Sequence, residues 1–284
     1  MACNLCGSDA IDCLYSLSKD QEIMRCRDCG LQFLHPFPRQ DCLSNIYTAE
    51  YFKAWGIKED RKISDGLKKM FYNAIFQEIE KVIPPGSFLD AGCAFGGALA
   101  VAKNRGWRAS GVEISEEAYV EARQKNPEQI YQGDFCRLDL PQDSFDLVTM
   151  LDFLEHVCNP IEAMAKANHA LKRKGLIAIV TPDSDSFSAR IMQRSWPHIK
   201  LEHLYYFCRK ALGALLVKGG FRPLLFKNMW KPMNFMYFVS QVKSYGPKYQ
   251  SGILKLTGKI IPNKIKLLNI YVPQGEIFAL AEKA

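Results

Sequence analysis

The sequence predicts an α/β protein: a doubly wound sheet of mostly parallel strands, preceded by a small cysteine-rich module. Three observations predict it. Short apolar runs alternate with helix-compatible runs between residues 87 and 219. Such alternation builds a parallel sheet whose ligands sit at the carboxyl ends of its strands. The first strand-to-helix turn, Asp90-Ala91-Gly92-Cys93-Ala94-Phe95-Gly96-Gly97, is rich in glycine and opens on an acid. Two Cys-x-x-Cys pairs stand near the N-terminus.

The chain has 284 residues, 48% of them apolar. That suffices for one α/β core and a small accessory module, and it excludes wholesale disorder. No apolar run reaches spanning length, and Met1-Ala2-Cys3-Asn4 is not a basic-then-apolar leader, so a cytoplasmic protein is expected. The ten cysteines are then reduced or metal-bound rather than paired in disulfides. Cys3-Asn4-Leu5-Cys6 and Cys26-Arg27-Asp28-Cys29 are knuckles with 19 residues between them. Four thiolates from Cys3, Cys6, Cys26 and Cys29 complete a closed tetrahedral zinc site, which is structural because it leaves no open position. Gly7 and Gly30 follow the knuckles, and Tyr15 to Met24 suits a short hairpin.

His35-Pro36-Phe37-Pro38 reads as a stiff linker. Residues 63–83 carry Leu67, Met70, Phe71, Ile75, Ile79 and Val82 at mostly helical spacing, which predicts an amphipathic helix on the sheet. Strands are expected near 87–90, 108–112, 129–132, 145–150 and 175–181, and helices near 96–105, 115–125, 159–171 and 209–219. Gly106, Asn126-Pro127, Gly175 and Gly219-Gly220 punctuate them. Net charge is +7, and residues 231–284 hold eight Lys, no Arg and two acids, almost the whole excess. The plain reading is a solvated basic face; contact with an anionic substrate, a membrane surface or RNA is the other.

Asp90 precedes its glycines. A carboxylate there would repel a pyrophosphate, so a cationic or zwitterionic ligand is the better match. The turn resembles motif I of the class I S-adenosylmethionine (SAM)-dependent methyltransferases, Asp-x-Gly-x-Gly-x-Gly, with Ala94 in place of the middle Gly. Further stretches carry the resemblance, which spans about residues 70–222: Glu113 at the end of the second strand, Gln132-Gly133-Asp134-Phe135 after the third, and Phe145 to Leu151 as the fourth. It implies a seven-stranded Rossmann-like sheet closed by antiparallel strands at 222–230 and 272–281. It implies a SAM site of Asp90, Gly92, Ala94, Gly96, Glu113, Ile114, Asp134, Phe135 and Leu151, with Glu113 on ribose hydroxyls, Asp134 on the adenine amino group and Phe135 beside the ring.

The chain then divides into a zinc ribbon (1–38), a helical linker or acceptor-side segment (39–84), a SAM-binding core (85–230), a basic, helical insertion (231–271) and a closing strand (272–284). The insertion is a lid, a dimer surface or an interfacial membrane contact. A four-cysteine ribbon, the segment Ile46 to Phe52 and then motif I resemble a subgroup of bacterial methyltransferases that often act on sugars or other small metabolites. The resemblance implies acceptor contacts from Tyr47 and Tyr51, with packing between modules the other role open to them; the loop aromatics Trp196, Tyr205 and Tyr206 either line an acceptor pocket or cap the sheet.

Methyl transfer from a sulfonium is an in-line displacement, and a hydroxyl or enolisable carbon acceptor must also lose a proton. His156 and His203 stand where a base is useful, at the cofactor end of the sheet and in the loop after the fifth strand. Asp152, Glu155 and His156, at i, i+3 and i+4, fall on one face if the stretch is helical. They resemble the Glu-x-x-Glu-His metal site of some quinone-pathway and small-RNA O-methyltransferases, with Asp152 for the first Glu, and imply a divalent ion that acidifies a hydroxyl.

The expected enzyme is therefore a SAM-dependent methyltransferase acting on a small-molecule acceptor. Two other readings remain at this point: an RNA methyltransferase with a zinc module, and a catalytically silent SAM-binding scaffold. Against RNA, residues 1–30 are slightly acidic, with Lys19, Arg25 and Arg27 facing Asp9, Asp12, Asp20, Glu22 and Asp28. Against a silent protein, Asp90, Glu113 and Asp134 are all present.

Overall fold

The computed structural model describes residues 1–37, 61–126, 129–200, 202–239 and 262–284. Tyr47, Tyr51 and the middle of the basic insertion lie outside them. The core sheet is built from β4 (Ser87–Ala91), β5 (Arg108–Glu113), β6 (Ile130–Gln132), β7 (Phe145–Leu151), β8 (Leu171–Pro182), β10 (Phe221–Met233) and β11 (Ile270–Lys283), in the order β10-β11-β8-β7-β4-β5-β6. Counted in chain order within the core, this is 3-2-1-4-5-7-6. Neighbours are parallel from β6 to β8, while β11 runs antiparallel to both β8 and β10. The chain reverses its winding between β4 and β7, so the ligand crevice of such a sheet opens at the carboxyl ends of β4, β5 and β7.

Each central strand is covered on both faces. In β4, Phe88 points to one core and Leu89 to the other. On Phe88's side lies α1 (Arg61–Ile79), whose Phe71, Ile75, Phe76 and Ile79 pack with Leu147, Val180 and Phe278. Phe76 meets Phe88 edge-on at 5.3 Å between ring centres. Each fully buried ring or branched side chain here contributes about 1.5–3 kcal/mol. The helix ends earlier than its apolar spacing predicts: Val82 lies beyond it and is 53% exposed.

The opposite face holds α4 (Pro160–Ala170) and α6 (Arg209–Lys218). Asn159 caps α4 by accepting from the N–H groups of Ile161 and Glu162, with Pro160 in the first turn. Between β4 and β6 come α2 (Gly97–Asn104) and α3 (Glu116–Lys125), the latter capped by Ser115. A short α5 (Phe187–Met192) follows β8. The closing strands are longer than expected, so Lys231 belongs to β10 and pairs with Val272 rather than opening an insertion. Within 231–271, residues 235–239 are helical and α7 covers Asn263–Lys266.

The cysteine-rich module forms β1 (Ile11–Ser16), β2 (Glu22–Cys26) and β3 (Gln32–His35), the hairpin expected between the knuckles plus one strand. Its sheet continues into the core: β9 (Tyr205–Tyr206), from the loop before α6, adds to β3 with Gln32 opposite Tyr206 and Phe33 opposite Tyr205. Leu5, Ile23, Leu31, Phe33 and Leu34 merge with Trp196 and Leu204 to Phe207 in one buried cluster.

Candidate active site and metal cluster

The N-terminal knuckles bring Cys3, Cys6, Cys26 and Cys29 together, every sulfur within 4.8 Å of the others. Cys3 and Cys29 sulfurs are 3.6 Å apart, and those of Cys6 and Cys26 are 3.5 Å apart. A tetrahedral zinc with bonds of ~2.3 Å sets sulfurs about 3.8 Å apart, so the cluster fits that ion. Gly7 and Gly30 turn the chain in the left-handed region, at φ 77° and 79°, and return their N–H groups to the carbonyls of Cys3 and Cys26.

At the carboxyl end of β4 the chain turns through three left-handed residues, Gly92, Ala94 and Gly96, at φ 71°, 45° and 75°. Gly92 has no alternative: a Cβ there would lie 2.6 Å from the Phe153 ring. Ala94 takes the strain that glycine avoids, about 1–2 kcal/mol. Ala94→Gly is therefore expected to raise stability by roughly 0.5–1 kcal/mol net of glycine's larger unfolded entropy, or about 1–2 °C by calorimetry.

Glu113, at the end of β5, is 5% exposed and holds this turn. Its carboxylate accepts from Ala94 N–H and Ser115 N–H, each at 2.8 Å. Asp90 is 3% exposed and accepts from the Thr149 hydroxyl. Burial, reinforced by Glu113, pushes its pKa up to about 7 against the opposing Thr149 hydrogen bond. A buried carboxylate beside a backbone turn, with no cation paired to it among the described residues, suits a ligand that brings positive charge. Asp134 is partly exposed and accepts from Cys136 N–H at 2.9 Å. Ile114 is 46% exposed at the crevice edge, and Leu151 is half-buried at the end of β7. Phe135 is placed differently from the expectation that it flanks an open ring site: it is 2% exposed and packs edge-on against Phe153 at 5.7 Å.

Beyond β7 the chain enters a second group. Asp152 has φ 51° and the helical turn begins only at Leu154, so Asp152, Glu155 and His156 do not share a helical face. The expected three-residue metal set is corrected accordingly. Asp152 instead pairs with Lys231 at 3.1 Å, and Lys231 also reaches Glu276 at 2.7 Å. His198 Nε2 is 3.5 Å from Glu276. Glu155 joins a different pair: a carboxylate oxygen of Glu155 and one ring nitrogen each of His156 and His203 lie within 4.8 Å of one another. The His156 and His203 rings are 4.6 Å apart and perpendicular.

Burial drives the titrations in this group. It lowers His156 to about 4 and His198 to about 3, and holds His203 well below its ordinary value, so all three are neutral at physiological pH. It raises Glu155 well above the carboxylate range and Glu276 to about 7, despite Lys231 in the latter case. Lys231 is raised because the attraction of Asp152 and Glu276 outweighs its burial. Lys231→Met would strand Glu276 in the interior. The expected loss is about 3 kcal/mol, read as a lowered unfolding midpoint in urea.

The aromatic acceptor contacts expected from the loop are corrected by their partners. Tyr205 donates to Cys158 O and accepts from Asn4, and Tyr206 donates to Lys200 O. Both are fully buried and fasten the cysteine module to the core. Trp196 is 3% exposed, donates to Ser188 and packs on His198 at 4.7 Å. Other residues were not singled out from sequence. Tyr72 of α1 sits against the start of α2, 3.1 Å from where a Gly97 Cβ would stand. Lys231 and Glu276 were also missed, although an acid heading the apolar run Ile277 to Leu280 was a readable signal.

A doubly wound sheet in the order 3-2-1-4-5-7-6, with an acidic glycine turn after its first strand and an acid ending its second, defines the class I methyltransferase fold. The profile of the Methyltransferase domain family matches residues 57–225, and the chain belongs to that family. Among curated relatives, an uncharacterised 37.1 kDa protein in transposon TN4556 of Streptomyces fradiae is 28% identical over 141 residues, 47% of this chain and 39% of that protein. A "Probable S-adenosylmethionine-dependent methyltransferase" of Mycobacterium tuberculosis is 24% identical over 151 residues, 53% of this chain and 54% of that one. The chain thus spans about half the length, or less, of these relatives. A SAM-dependent methyltransferase from Archaeoglobus fulgidus shares the fold with a TM-score of 0.54 at 18% identity, covering 79% of this chain and 97% of its own. A chain of the Haloferax volcanii complex containing the Trm112 methyltransferase activator does so with 0.54 at 14%, covering 81% and 97%.

Proposed function

We propose that the protein is a SAM-dependent methyltransferase with a structural zinc ribbon, and that it methylates a small molecule such as a sugar, glycan precursor or other secondary metabolite. The observation that carries the reading is the pairing of two neighbouring groups: the acidic turn of Asp90 and Glu113, and the imidazole cluster beside it at the ends of β7 and β8. The first group suits SAM, which supplies an electrophilic methyl on a sulfonium. Asp90 answers positive charge on the methionine portion, Glu113 the ribose, and Asp134 with Ile114 the adenine. Gly92, Ala94, Gly96 and Leu151 shape the contact surface. The second group handles the acceptor. His156 and His203 are neutral and can take a proton, as a hydroxyl or enolisable carbon requires. His203 is buried and His156 half-buried, which limits water there and strengthens electrostatic interactions. Among the described residues no helix is long and apolar enough to cross a membrane, in keeping with a soluble acceptor.

The test has two parts. SAM binding is measured by calorimetry, and a labelled methyl group is followed from SAM into fractionated cell extract, with Asp90→Asn as the control. Binding with label in nucleotide-sugar or other small-molecule fractions supports the reading. Label confined to RNA would overturn the acceptor class, and absence of SAM binding would overturn the enzyme.

A further inference from the structure

We propose that α5 and the turn after it dock the protein on an anionic lipid bilayer. The helix is polar inward and apolar outward. Ala189 is its buried residue, and Ser188 donates to Gln274 O at 3.4 Å and accepts from Trp196 Nε1 at 3.2 Å. The large apolar side chains are left in solvent: Phe187 is 80% exposed, Ile191 64% and Met192 41%. Phe187 and Ile191, four positions apart, share one helical face. A helix that packs only on its own protein turns such residues to the core and polar ones to water. Here the order is reversed, on an element that is held in place. Ser186 caps the helix by accepting from Ala189 N–H at 3.2 Å, and Trp196 N–H returns to Gln193 O at 2.9 Å.

Charge selects the occupant. Residues 186–201 contain Arg190, Arg194 and Lys200 and no acid. Arg190 and Arg194 are exposed, and neither has an ion-pair partner within 4 Å among the described residues. Asp183, which Arg190 attracts, is buried and accepts from Asp185 N–H, while Asp185 pairs with Arg25 at 3.9 Å. A second copy of the chain is a poor occupant, because a two-fold interface sets a patch against itself and would bring the arginines together. An anionic bilayer answers both parts, with headgroup charge for the guanidinium groups and the acyl boundary for the apolar side chains. The strand whose Gln274 holds Ser188 continues the pattern. It begins with exposed Ile270 and Tyr271, and Tyr271 lines one groove with the exposed Trp230. Tyr and Trp are the aromatic residues that settle at headgroup depth. Residues 231–284 add eight Lys against two acids, of which Glu276 is buried and Glu282 pairs with Arg222.

Such a contact lies in the plane of the interface and needs no spanning segment. It reaches the candidate site by a short path. From α5 the chain runs through Gln193–Ser195 into Trp196, whose ring lies 4.7 Å from that of His198. A bilayer under α5 therefore stands beside the loop that carries His198 and His203, whichever group the crevice transfers.

The experiment is flotation of the zinc-loaded full chain with vesicles at low and at high salt. One vesicle set is phosphatidylcholine, and the other is equal parts phosphatidylglycerol and phosphatidylcholine. Binding to the anionic set, weakened by salt, is expected. Arg190→Ala with Arg194→Ala should lower the partition coefficient by about 30-fold, near fivefold for each basic residue at the surface. Phe187→Asp with Ile191→Asp should lower it by more than about 100-fold. All four side chains are exposed, so both variants should keep the wild-type unfolding midpoint and zinc content. No binding to anionic vesicles, equal binding to both vesicle sets, or unchanged binding in either folded variant would overturn the proposal. So would a chain that ignores vesicles but self-associates in sedimentation until Phe187→Asp restores the monomer; the face would then join copies. A chain that ignores vesicles but binds polyglutamate through the two arginines would make the partner an acidic protein and overturn the bilayer likewise.

Discussion

Removing the ribbon zinc is expected to lower methyl transfer by more than about 100-fold while leaving SAM affinity within about threefold; a 1 Å displacement of positioned groups alone reaches the former figure. The reason is the shared sheet. β3 pairs with β9, and Leu34 N–H donates to Leu204 O at 2.9 Å. Leu204 in turn donates to Glu155 and directly follows His203. A three-stranded module this small draws its folding energy from its metal. Without it, β9 loses the strand beside it, and the Tyr205 and Tyr206 side chains lose their packing. Asp90 and Glu113 lie on β4 and β5, on the other side of β7, and their hydrogen bonds involve no ribbon residue. Cys26→Ser with Cys29→Ser makes the same break without a chelator. The measurement is kcat beside the Kd for SAM, with zinc content recorded. A double variant that has lost zinc but keeps full kcat would show that the ribbon does not hold the acceptor loop.

The core was legible because its signals are local. The run Phe88-Leu89, the turn from Asp90 to Gly97, the Asn159-Pro160 start of α4 and the paired cysteines each state their structure within a few residues. Topology beyond that needed the resemblance, since alternation alone does not fix the order in which strands pair. What could not be read is tertiary. β9 is two residues long, too short for any alternation, and its tyrosines read as pocket aromatics until their hydroxyls are traced to Cys158 and Lys200. Asp152 looked like part of a helical triad because spacing assumes a helix; a left-handed residue at φ 51° breaks that assumption and sends its carboxylate to Lys231. His203 joins Glu155 and His156 only by folding, because no spacing rule connects positions so far apart.

Asp90→Asn is expected to weaken SAM binding by at least about 30-fold, the lower bound for removing one partner of a buried charge pair at 2–5 kcal/mol. The same substitution should raise the stability of the ligand-free protein at pH 8. The sign follows from the titration. The folded-state pKa of Asp90 is about 7, raised chiefly by burial, whereas an unfolded aspartate titrates at about 3.9. Between these values the folded chain binds more protons at this position than the unfolded one, so this residue's contribution to stability falls as pH rises from about 4 to 7 and then levels. Asparagine stays neutral throughout and can still accept from Thr149, so the variant avoids that loss. SAM affinity runs the other way. Above pH 7 the carboxylate is already ionised, and Kd should be flat on its account. Below pH 7 binding must first expel a proton, and Kd should rise toward tenfold per unit of pH. In Asp90→Asn this dependence should vanish. Calorimetric Kd values at pH 6, 7 and 8, with unfolding midpoints at pH 5 and 8, separate the outcomes. A wild-type Kd that does not change from pH 8 to 6 would mean that Asp90 does not meet the positive charge of the ligand. A variant less stable than the wild type at pH 8 would mean that its ionised form is favoured in the fold, with the Thr149 contact outweighing burial.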